Sequence, residues 1–581
     1  MRGAAPLAAA LVLLALAPGA RAAAAVPSSA TAGAASVPVT RTAMVAPVPG
    51  ARVHAVGPIS ETRATAIAAA VPKIAAEHRR YPGSTFDATR KDAARWEVNL
   101  WSRATKGHPQ REIGQVEVAV AGGKVLEAWT GFQVAWTMAR GYPGAFGKSV
   151  NTAWLWVTLC ALFVLPFVDV RRPLRMLHLD LLALVGFSVS LAFFNHANLG
   201  MSVPLTYPLL AYLCARLLWV GLRRRPAASP PLQLLVPWQW LAVATLFLIG
   251  FRIGLNIVDG NVIDVGYAGV IGADKIMHGQ ALYGAFPHDN DHGDTYGPLL
   301  YLAYIPFELI WPWHGTWDDL PAAHAAAGAF DMACVGLLFL IGRSMRDTAL
   351  GVVFAYGWVA YPFTIFATNS GTNDALPAAL LLAALLLHRR PLARGALIAA
   401  AGMAKFAQLG LLPLFAAHDL GPPGRGRARR VAAFSAGAAI VIAASMALVL
   451  AKSDLRTFWD HTIAYQASRS APFSVWGFYG GGWHVAQHVV QAFAVVLAVG
   501  VAFIPRRDDL VGLAALSGAI LLAFQLSTTY WFYLYLVWVV PVALIALIGR
   551  LAVPAPVTQE APSTAPAAAR SPAPAMVPST G

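Results

Sequence analysis

Long apolar segments, separated by short loops that carry arginines, recur along most of this chain. Of its 581 residues, 57% are hydrophobic and only 12% are charged, and the mean hydropathy is +0.57. About 20 apolar residues are enough for a helix to cross a bilayer, where helices satisfy their own backbone hydrogen bonds. The pattern therefore predicts an all-α polytopic protein of the plasma membrane.

The basic residues follow the pattern of a membrane protein rather than that of a nucleic-acid-binding protein. The formal net charge is +15, and arginines cluster in short loops, for example at Arg171-Arg172, Arg389-Arg390 and Arg506-Arg507. Short cytoplasmic loops of membrane proteins are rich in Lys and Arg. We therefore expect membrane lipid as a partner and no nucleic acid, and we use these loops to orient the spans.

The first 60 residues predict export. Residues 1–22 combine Arg2, an apolar core and the small-residue site Ala20-Arg21-Ala22, which is typical of a secretory signal peptide. Residues 23–60 are rich in Ala, Val, Pro, Ser and Thr and have no apolar period, so we expect a disordered linker. The region after this linker is predicted to be extracytoplasmic.

Residues 61–148 predict a small extracytoplasmic α+β domain. Apolar residues at helical spacing run from Glu61 to Arg79, with Pro72 as a point where the helix kinks or splits. Three alternating segments predict strands of an antiparallel sheet, at residues 96–101, 115–120 and 125–130. Four tryptophans are expected in the core of the domain rather than in a ligand site, namely Trp96, Trp101, Trp129 and Trp136. One helix and a small sheet resemble a PepSY-type module.

The rest of the chain is predicted to lie in the membrane, with about 13 transmembrane helices. Residues 149–235 predict three accessory spans, 236–552 the main membrane core, and 553–581 a disordered cytoplasmic tail. Keeping the arginine-rich loops on one side requires the apolar residues 297–313 to lie along the outer surface. It also requires residues 394–417 to return to their starting side, as two short helices broken near Lys405.

One predicted external loop, residues 258–298, gathers the carboxylates. The chain has only 28 Asp and Glu residues, and six Asp lie here: Asp259, Asp264, Asp274, Asp289, Asp291 and Asp294. The spacing of Asp289, Asp291 and Asp294 suits oxygen ligation of a hard cation, so either a divalent metal or a solvated turn is open there. Carboxylates concentrated in an apolar chain indicate chemistry or ion binding on this face.

Further polar groups are predicted on the same face as that loop. They are the turn Asn369–Asp374, Lys405 at the helix break, the loop that contains Arg469, and the aromatic segment that begins at Tyr530. Cations can neutralise a phosphate, a carboxylate can act as a base, and aromatic rings can hold a sugar or a lipid head group. The combination suits an anionic, lipid-linked substrate.

The order of these motifs resembles that of the GT-C glycosyltransferases, and among them the polyprenyl-phosphate-mannose-dependent enzymes of glycosyltransferase family 87. The motifs are Asp264-Val-Gly-Tyr267, Gly279-x-x-Leu-Tyr283, Tyr296-Gly-Pro298, Asn373-Asp374, Lys405, Arg469-Ser-Ala-Pro472 and the segment Tyr530–Trp538. The resemblance covers residues 236–550. It implies a GT-C fold, a mannosyltransferase-like activity and a polyprenyl-phosphate sugar as donor. The family's usual Tyr-x-Pro-Pro is Tyr296-Gly-Pro298 here, which leaves the shape of that loop open.

The resemblance also implies roles for individual residues. Asp264 is implied as the catalytic base, with Asp259 as the alternative. Lys405 and Arg469 are implied to hold the donor phosphate, and Asp374 to be the family's second acidic position. The expected substrate contacts are Tyr267, Tyr296, Asp374, Lys405, Arg469 and Tyr530. A divalent metal that assists the catalytic carboxylate is left open.

These observations predict a membrane glycosyltransferase that moves mannose or a pentose to an external lipid, glycan or protein acceptor of the cell envelope. One alternative is a transporter or flippase for lipid-linked sugars, which would also need polar residues leading to the cytoplasmic side. Asp331 is the main carboxylate within the predicted spans. A second alternative is a non-catalytic sensor or assembly factor, with a ligand-binding N-terminal domain and a degenerate GT-C core.

Overall fold

The computed structural model describes residues 58–105, 110–141, 146–223, 232–469, 471–504, 506–551 and 581. The predicted signal peptide lies outside these residues, as do most of the predicted linker and all but the last residue of the predicted tail. The described part is mostly helical and has one four-stranded sheet near its N-terminal end. Both features agree with the predicted fold class.

Two helices open the N-terminal domain, where the sequence predicted one with a weak point at Pro72. Helix α1 spans Glu61–Ala70 and α2 spans Pro72–Arg80. Val71 adopts an extended conformation between them because a residue before proline is disfavoured in the helical region. Pro72 then stands in the first turn of α2, where its missing N–H costs nothing. The predicted helix is therefore split at the proline.

The sheet is an antiparallel meander in the order β1-β2-β3-β4. Its strands are Thr85–Arg90 (β1), Arg95–Trp101 (β2), Glu112–Ala119 (β3) and Val125–Thr130 (β4). Val98 and Val118 pack with Ala64, Ala68 and Ile74 of the two helices. The sequence predicted β2, β3 and β4 but not β1, because β1 is an edge strand whose side chains are mostly exposed.

The remaining helices follow in chain order. The first group is α3 Phe132–Ala135, α4 Ala153–Val164, α5 Met176–Asn195, α6 Leu199–Leu222, α7 Trp238–Asp259, α8 Asp264–Met277, α9 Pro298–Leu302, α10 Ile305–Glu308, α11 Pro321–Met345, α12 Thr348–Ala360 and α13 Pro362–Asn369. The second is α14 Ala375–Leu386, α15 Pro391–Ala404, α16 Leu412–Ala416, α17 Arg425–Leu450, α18 Leu455–Trp459, α19 Tyr465–Ser468, α20 Val475–Tyr479, α21 His484–Gly500, α22 Leu510–Ser527 and α23 Leu536–Leu547.

Six helices of the described chain are long and apolar enough to cross a membrane, which agrees with a membrane protein. They are α5, α6, α7, α11, α17 and α22. The pair α12 and α13 would add a seventh span, bent by 59° at its break, and several shorter apolar helices accompany them. The predicted number of 13 crossings stays a prediction.

Helix α22 lies at the centre of the helical bundle. In its apolar stretch, 94% of the residues are buried inside the protein, against 28% for α7. The outer side of α7 exposes Val243, Leu246 and Phe247. In a bilayer these side chains would contact lipid, so their exposure is expected for a peripheral span.

The chain breaks at Lys405, where the sequence predicted two short helices. Helix α15 ends at Ala404, Lys405 is extended with φ −138° and ψ 118°, and a 3-10 turn spans Phe406–Leu411. Residues 297–313 form the two short helices α9 and α10 rather than one long span. The break between α12 and α13, at Pro362, was not predicted.

A buried ion pair holds the second break in place. Both carboxylate oxygens of Asp331 accept hydrogen bonds from Arg252, from Nε at 3.0 Å and from Nη2 at 2.5 Å. Arg252 also donates to the carbonyl of Val359 and the hydroxyl of Thr364, both at 3.1 Å. Trp358 Nε1 donates to Asp331 at 2.8 Å. The pair thereby ties α7 and α11 to the two helices on either side of Pro362.

Candidate active site

A buried ion pair lies at the break in the chain near Lys405. Lys405 Nζ is 2.7 Å from Asp374 Oδ1, and both side chains are almost fully buried. Trp538 Nε1 donates to the same carboxylate oxygen at 3.0 Å. The ammonium lies 5.0 Å from the ring centroid of Tyr296 and 5.4 Å from that of Trp538, close enough for cation–π attraction. An ammonium has three N–H donors, and Asp374 is its only hydrogen-bond acceptor among the described residues.

The position of Tyr296 depends on the glycine that follows it. The N–H of Gly297 donates to the carbonyl of Ala404 at 3.3 Å. A Cβ atom at residue 297 would lie 2.0 Å from the carbonyl oxygen of Met403, so a side chain there would force the two segments apart. The loop Tyr296-Gly-Pro298, whose shape the sequence did not determine, therefore packs against the helix break at Lys405. This packing brings Tyr296 next to Lys405.

The segment before Asp264 is fixed against the turn that precedes Asp374. The backbone N–H of Asn261 donates to the carbonyl of Asn369 at 2.9 Å. The side-chain amide of Asn373 donates to the carbonyl of Val265 at 2.7 Å. These bonds join the start of α8 to the end of α13, so the two acidic positions that are 110 residues apart in sequence approach each other in space.

The carboxyl of Asp264 is surrounded by protein and remains accessible to solvent. Asp264 is exposed, yet the protein atoms around its carboxyl displace water and so raise its pKa above the ordinary value. The positive charges of Arg469 and Lys405 counteract this shift of the pKa, and the charge of Asp374 adds to it. Asp264 is thus both accessible to solvent and closely surrounded by protein, as a side chain that lines a cleft would be. Arg469, Lys405 and Asp374 lie near enough to share this cleft with it.

Arg469 is enclosed by aromatic rings. Its guanidinium carbon lies 3.9 Å from the ring centroid of Tyr530, 5.3 Å from that of Trp136 and 5.8 Å from that of Tyr465. Its Nε has no hydrogen-bond partner among the described residues, and no carboxylate of that part of the chain forms an ion pair with it. Arg469 is therefore an enclosed cation that acts on the nearby charge of Asp264 but forms no direct ion pair within the described chain.

Most of the residues that the sequence predicted as a site are brought together in this way. Asp264, Asp374, Lys405, Arg469, Tyr296 and Tyr530 form one cluster, which we call the charged cleft. The ring of Tyr296 lies under the ammonium of Lys405, and its hydroxyl is near enough to Asp264, Asp374 and Arg469 to interact with their charges. The cleft offers two cations, a solvent-accessible carboxylate and several partly accessible aromatic rings.

Two of the predicted residues lie elsewhere. Asp259 Oδ2 accepts a hydrogen bond from the backbone N–H of Ser149 at 2.9 Å, at the end of α7. The hydroxyl of Tyr267 donates to Asp289 at 3.1 Å, and its buried ring lies 4.8 Å from that of Trp317. Both residues hold the loop together and neither contacts the charged cleft through a described hydrogen bond.

The three aspartates predicted as metal ligands have separate partners. Asp289 accepts from Tyr267, Asp291 is 3.9 Å from His292, and the buried Asp294 is 2.8 Å from Nδ1 of His461. Among the described residues no group of three or more His, Cys, Asp or Glu side chains is arranged to hold a metal ion. The three carboxylates therefore do not fit one shared metal site in the described part of the chain.

The sequence reasoning missed two aromatic residues of the cleft. Trp538 contacts both Asp374 and Lys405, and its place in an aromatic segment after Tyr530 was the available signal. Trp136 was predicted for the core of the N-terminal domain, and that prediction is wrong because its ring lies against Arg469. The sequence separation between Trp136 and Arg469 left no local signal for this contact.

Residues 295–528 match the family model described as glycosyltransferase family 87. The matched range contains Tyr296, Asp374, Lys405 and Arg469, whereas Asp264 lies before it. No curated protein and no solved structure matches the chain. The match confirms the family resemblance seen in the motifs. It gives no support to the PepSY-type resemblance of the N-terminal domain.

Proposed function

We propose, from the family 87 glycosyltransferase match of residues 295–528, that this membrane glycosyltransferase takes its sugar from a polyprenyl-phosphate donor. The acceptor would be a hydroxyl group of an envelope lipid, glycan or protein outside the cytoplasm. The sugar would be mannose or a pentose, in keeping with the family resemblance.

The observation that carries the proposal is the unpaired Arg469 beside a solvent-accessible carboxylate. An enclosed cation is costly unless its charge and its donors are satisfied. Arg469 feels the charge of Asp264, but among the described residues its Nε has no hydrogen-bond partner and no carboxylate forms an ion pair with it. A bound phosphate would fill that place, since a guanidinium can donate two parallel hydrogen bonds to it. Lys405 would add a second cation, since Asp374 accepts from only one of its three donors.

The aromatic residues of the charged cleft suit the sugar of such a donor. Tyr296 and Tyr530 are both partly accessible, and each lies next to one of the two cations. A ring beside a phosphate-binding cation is placed to contact the sugar that the phosphate carries. In this arrangement the lipid phosphate lies between Lys405 and Arg469, with the sugar directed toward Asp264.

Asp264 would act as the general base. Its carboxylate would take the proton of the acceptor hydroxyl, while the hydroxyl oxygen forms a bond to the anomeric carbon of the sugar. The bond between that carbon and the phosphate oxygen breaks, and its electron pair stays on the released polyprenyl phosphate. Arg469 and Lys405 would stabilise the charge that develops on the leaving phosphate. A single displacement of this kind inverts the anomeric configuration.

The donor class can be tested with the purified full-length protein in lipid nanodiscs. Polyprenyl-phosphate [3H]mannose, a matching polyprenyl-phosphate pentose and GDP-[3H]mannose would be supplied separately with a crude envelope extract as acceptor. We expect label to leave a polyprenyl-phosphate donor, with equimolar release of polyprenyl phosphate, and no transfer from the nucleotide sugar. Use of GDP-mannose by the purified protein would refute the proposed donor class.

The same purified protein, reconstituted into proteoliposomes instead of nanodiscs, distinguishes an enzyme from a flippase. In proteoliposomes, a flippase would move the intact polyprenyl-phosphate sugar between leaflets without cleaving it. Recovery of all the label as intact donor, with its accessibility to a membrane-impermeant periodate probe changed by the protein, would replace the transferase proposal with the transporter alternative.

A further inference from the structure

The segment that follows the N-terminal domain enters the charged cleft. After β4 the chain forms α3, and its Gln133 side chain donates to the carbonyls of Ala139 and Ala197, at 3.2 and 3.1 Å. Ala197 lies between α5 and α6 of the helical part. The bond to Ala197 fixes the segment to the helical part, and the bond to Ala139 fixes the fold of the segment itself.

Arg140 connects this segment back to the sheet. Its Nε donates to the carbonyl of Gln133 at 2.7 Å, and its Nη2 donates to the side chain of Gln115 in β3 at 2.5 Å. The residue is buried, and its guanidinium lies 5.7 Å from the ring centroid of Trp129 in β4. The N-terminal domain and the segment 132–140 are therefore joined by a buried, hydrogen-bonded arginine.

Two side chains of this segment cover the Arg469 side of the cleft. The ring of Trp136 lies 5.3 Å from the guanidinium carbon of Arg469 and edge-on to Phe473, with ring centroids 5.3 Å apart. The hydroxyl of Tyr530 points at the sulfur of Met138, at 3.8 Å. Trp136 and Tyr530 are thus two of the rings that enclose the cation.

From these contacts we infer that Trp136 is a positioning residue for the anion-binding Arg469, supplied by the segment 132–140 that follows the N-terminal domain. The inference rests on the proposed function for the nature of the anion, which is the phosphate of a polyprenyl phosphate. It adds to that function a part of the chain outside the family match, since Trp136 lies well before residue 295.

The physical basis is the attraction between the guanidinium and the ring face. Aromatic contacts hold the flexible arginine side chain without using its N–H donors, which stay available for a phosphate. Loss of the Trp136 ring leaves Tyr530 and Tyr465 in contact, so Arg469 stays near its place but samples more orientations. Donor binding then weakens, while the carboxylate chemistry at Asp264 is unchanged.

The test measures equilibrium binding of tritiated polyprenyl phosphate to the full-length protein in nanodiscs. Trp136→Ala is expected to weaken binding by about fivefold, the size of a partly desolvated cation–π contact, and to raise the donor KM with little change in kcat. Trp136→Phe keeps a ring and is expected to recover most of the loss.

Phe132→Ala is the matched control. Phe132 is an exposed aromatic residue of the same segment whose ring lies 5.9 Å from Phe478 and not at Arg469. The Phe132→Ala variant should bind polyprenyl phosphate with the affinity of the wild type. Equal weakening by Trp136→Ala and Phe132→Ala would overturn the inference, because it would show a general effect of the segment.

The result for Arg469→Gln separates this inference from the proposed function. Strong loss of binding in Arg469→Gln with none in Trp136→Ala would refute the role of Trp136 and leave the donor proposal standing. Wild-type protein that does not bind polyprenyl phosphate would refute both.

Discussion

The ion pair between Lys405 and Asp374 allows its structural and functional roles to be measured separately. The perturbation is a double-mutant cycle of Asp374→Asn, Lys405→Met and the two together. The side chains are 1% and 7% exposed, for Asp374 and Lys405 respectively, so either single change leaves a buried group whose partner is missing. The double change removes both charges and keeps similar side-chain volumes.

The expected magnitudes follow from burial. Breaking a buried pair by removing one partner costs about 3–5 kcal/mol, whereas replacing both partners by neutral groups is often close to neutral. Each single variant should therefore lose about 3 kcal/mol of stability and the double variant about 1–2 kcal/mol. Transfer should remain low in the double variant, by about 10- to 100-fold, because a charged hydrogen bond to the donor phosphate is worth about 1.5–3 kcal/mol.

The assay pairs thermal stability in detergent with sugar transfer in membranes at equal expression. A matched control is the buried pair of Arg216 and Asp180, 2.9 Å apart, for which Asp180→Asn with Arg216→Met should retain transfer. Recovery of both stability and full transfer in the Asp374→Asn/Lys405→Met variant would refute a substrate-binding role for Lys405. It would assign the pair to folding alone.

Two further predictions concern pH and the membrane core. Desolvation raises the pKa of Asp264, so the acid limb of the pH profile of kcat/KM should lie above the ordinary aspartate pKa of about 4. The rate should fall as the pH drops, because the carboxylate then gains a proton and can no longer act as a base. An acid limb at or below about pH 4 would contradict the assignment of Asp264 as the base. Arg252→Leu leaves Asp331 as a lone buried carboxylate and should lower the stability of the protein by about 3–5 kcal/mol, measured as a lower aggregation temperature in detergent. The double variant Arg252→Leu/Asp331→Asn should recover most of this stability. Equal losses of stability in the single and double variants would show that the two residues are not coupled.

The position of the helix break could be predicted because it follows from a physical constraint that acts along the sequence. Residues 394–417 are too few to cross a membrane twice at full length, and the flanking arginines require a return. The structure breaks the helix at Lys405. The break at Pro362 leaves no such signal, because a proline at the start of a new helix is compatible with either a straight or a bent path.

The charged cleft could be predicted as a set of residues but not as an arrangement. The predicted topology assigned Asp264, Asp374, Lys405 and Arg469 to one membrane side, and the structure brings these four residues together. The pairing of Lys405 with Asp374, which leaves Arg469 without an ion pair among the described residues, depends on side-chain directions that a single sequence does not specify. The steric need for glycine at residue 297 likewise appears only once Met403 is seen against it.

The contact between Trp136 and Arg469 could not be predicted from the residues around either of them. A tryptophan in a small α+β domain is most often part of that domain's core, and Trp96 does pack there. Trp136 instead follows the last strand, and the segment that carries it is held to the helical part by Gln133. Contacts between distant segments depend on the path of the whole chain.

The most direct test of the proposed chemistry compares Asp264→Asn with Asp259→Asn in sugar transfer and in binding of polyprenyl phosphate. The two residues lie at either end of the short connection between α7 and α8, but Asp259 accepts a hydrogen bond from Ser149 and lies outside the charged cleft. We expect Asp264→Asn to lose transfer by about 10²- to 10⁴-fold, as for removal of a general base, with donor binding retained, and Asp259→Asn to keep both. Transfer by Asp264→Asn at the wild-type rate would contradict the assignment of Asp264 as the catalytic base.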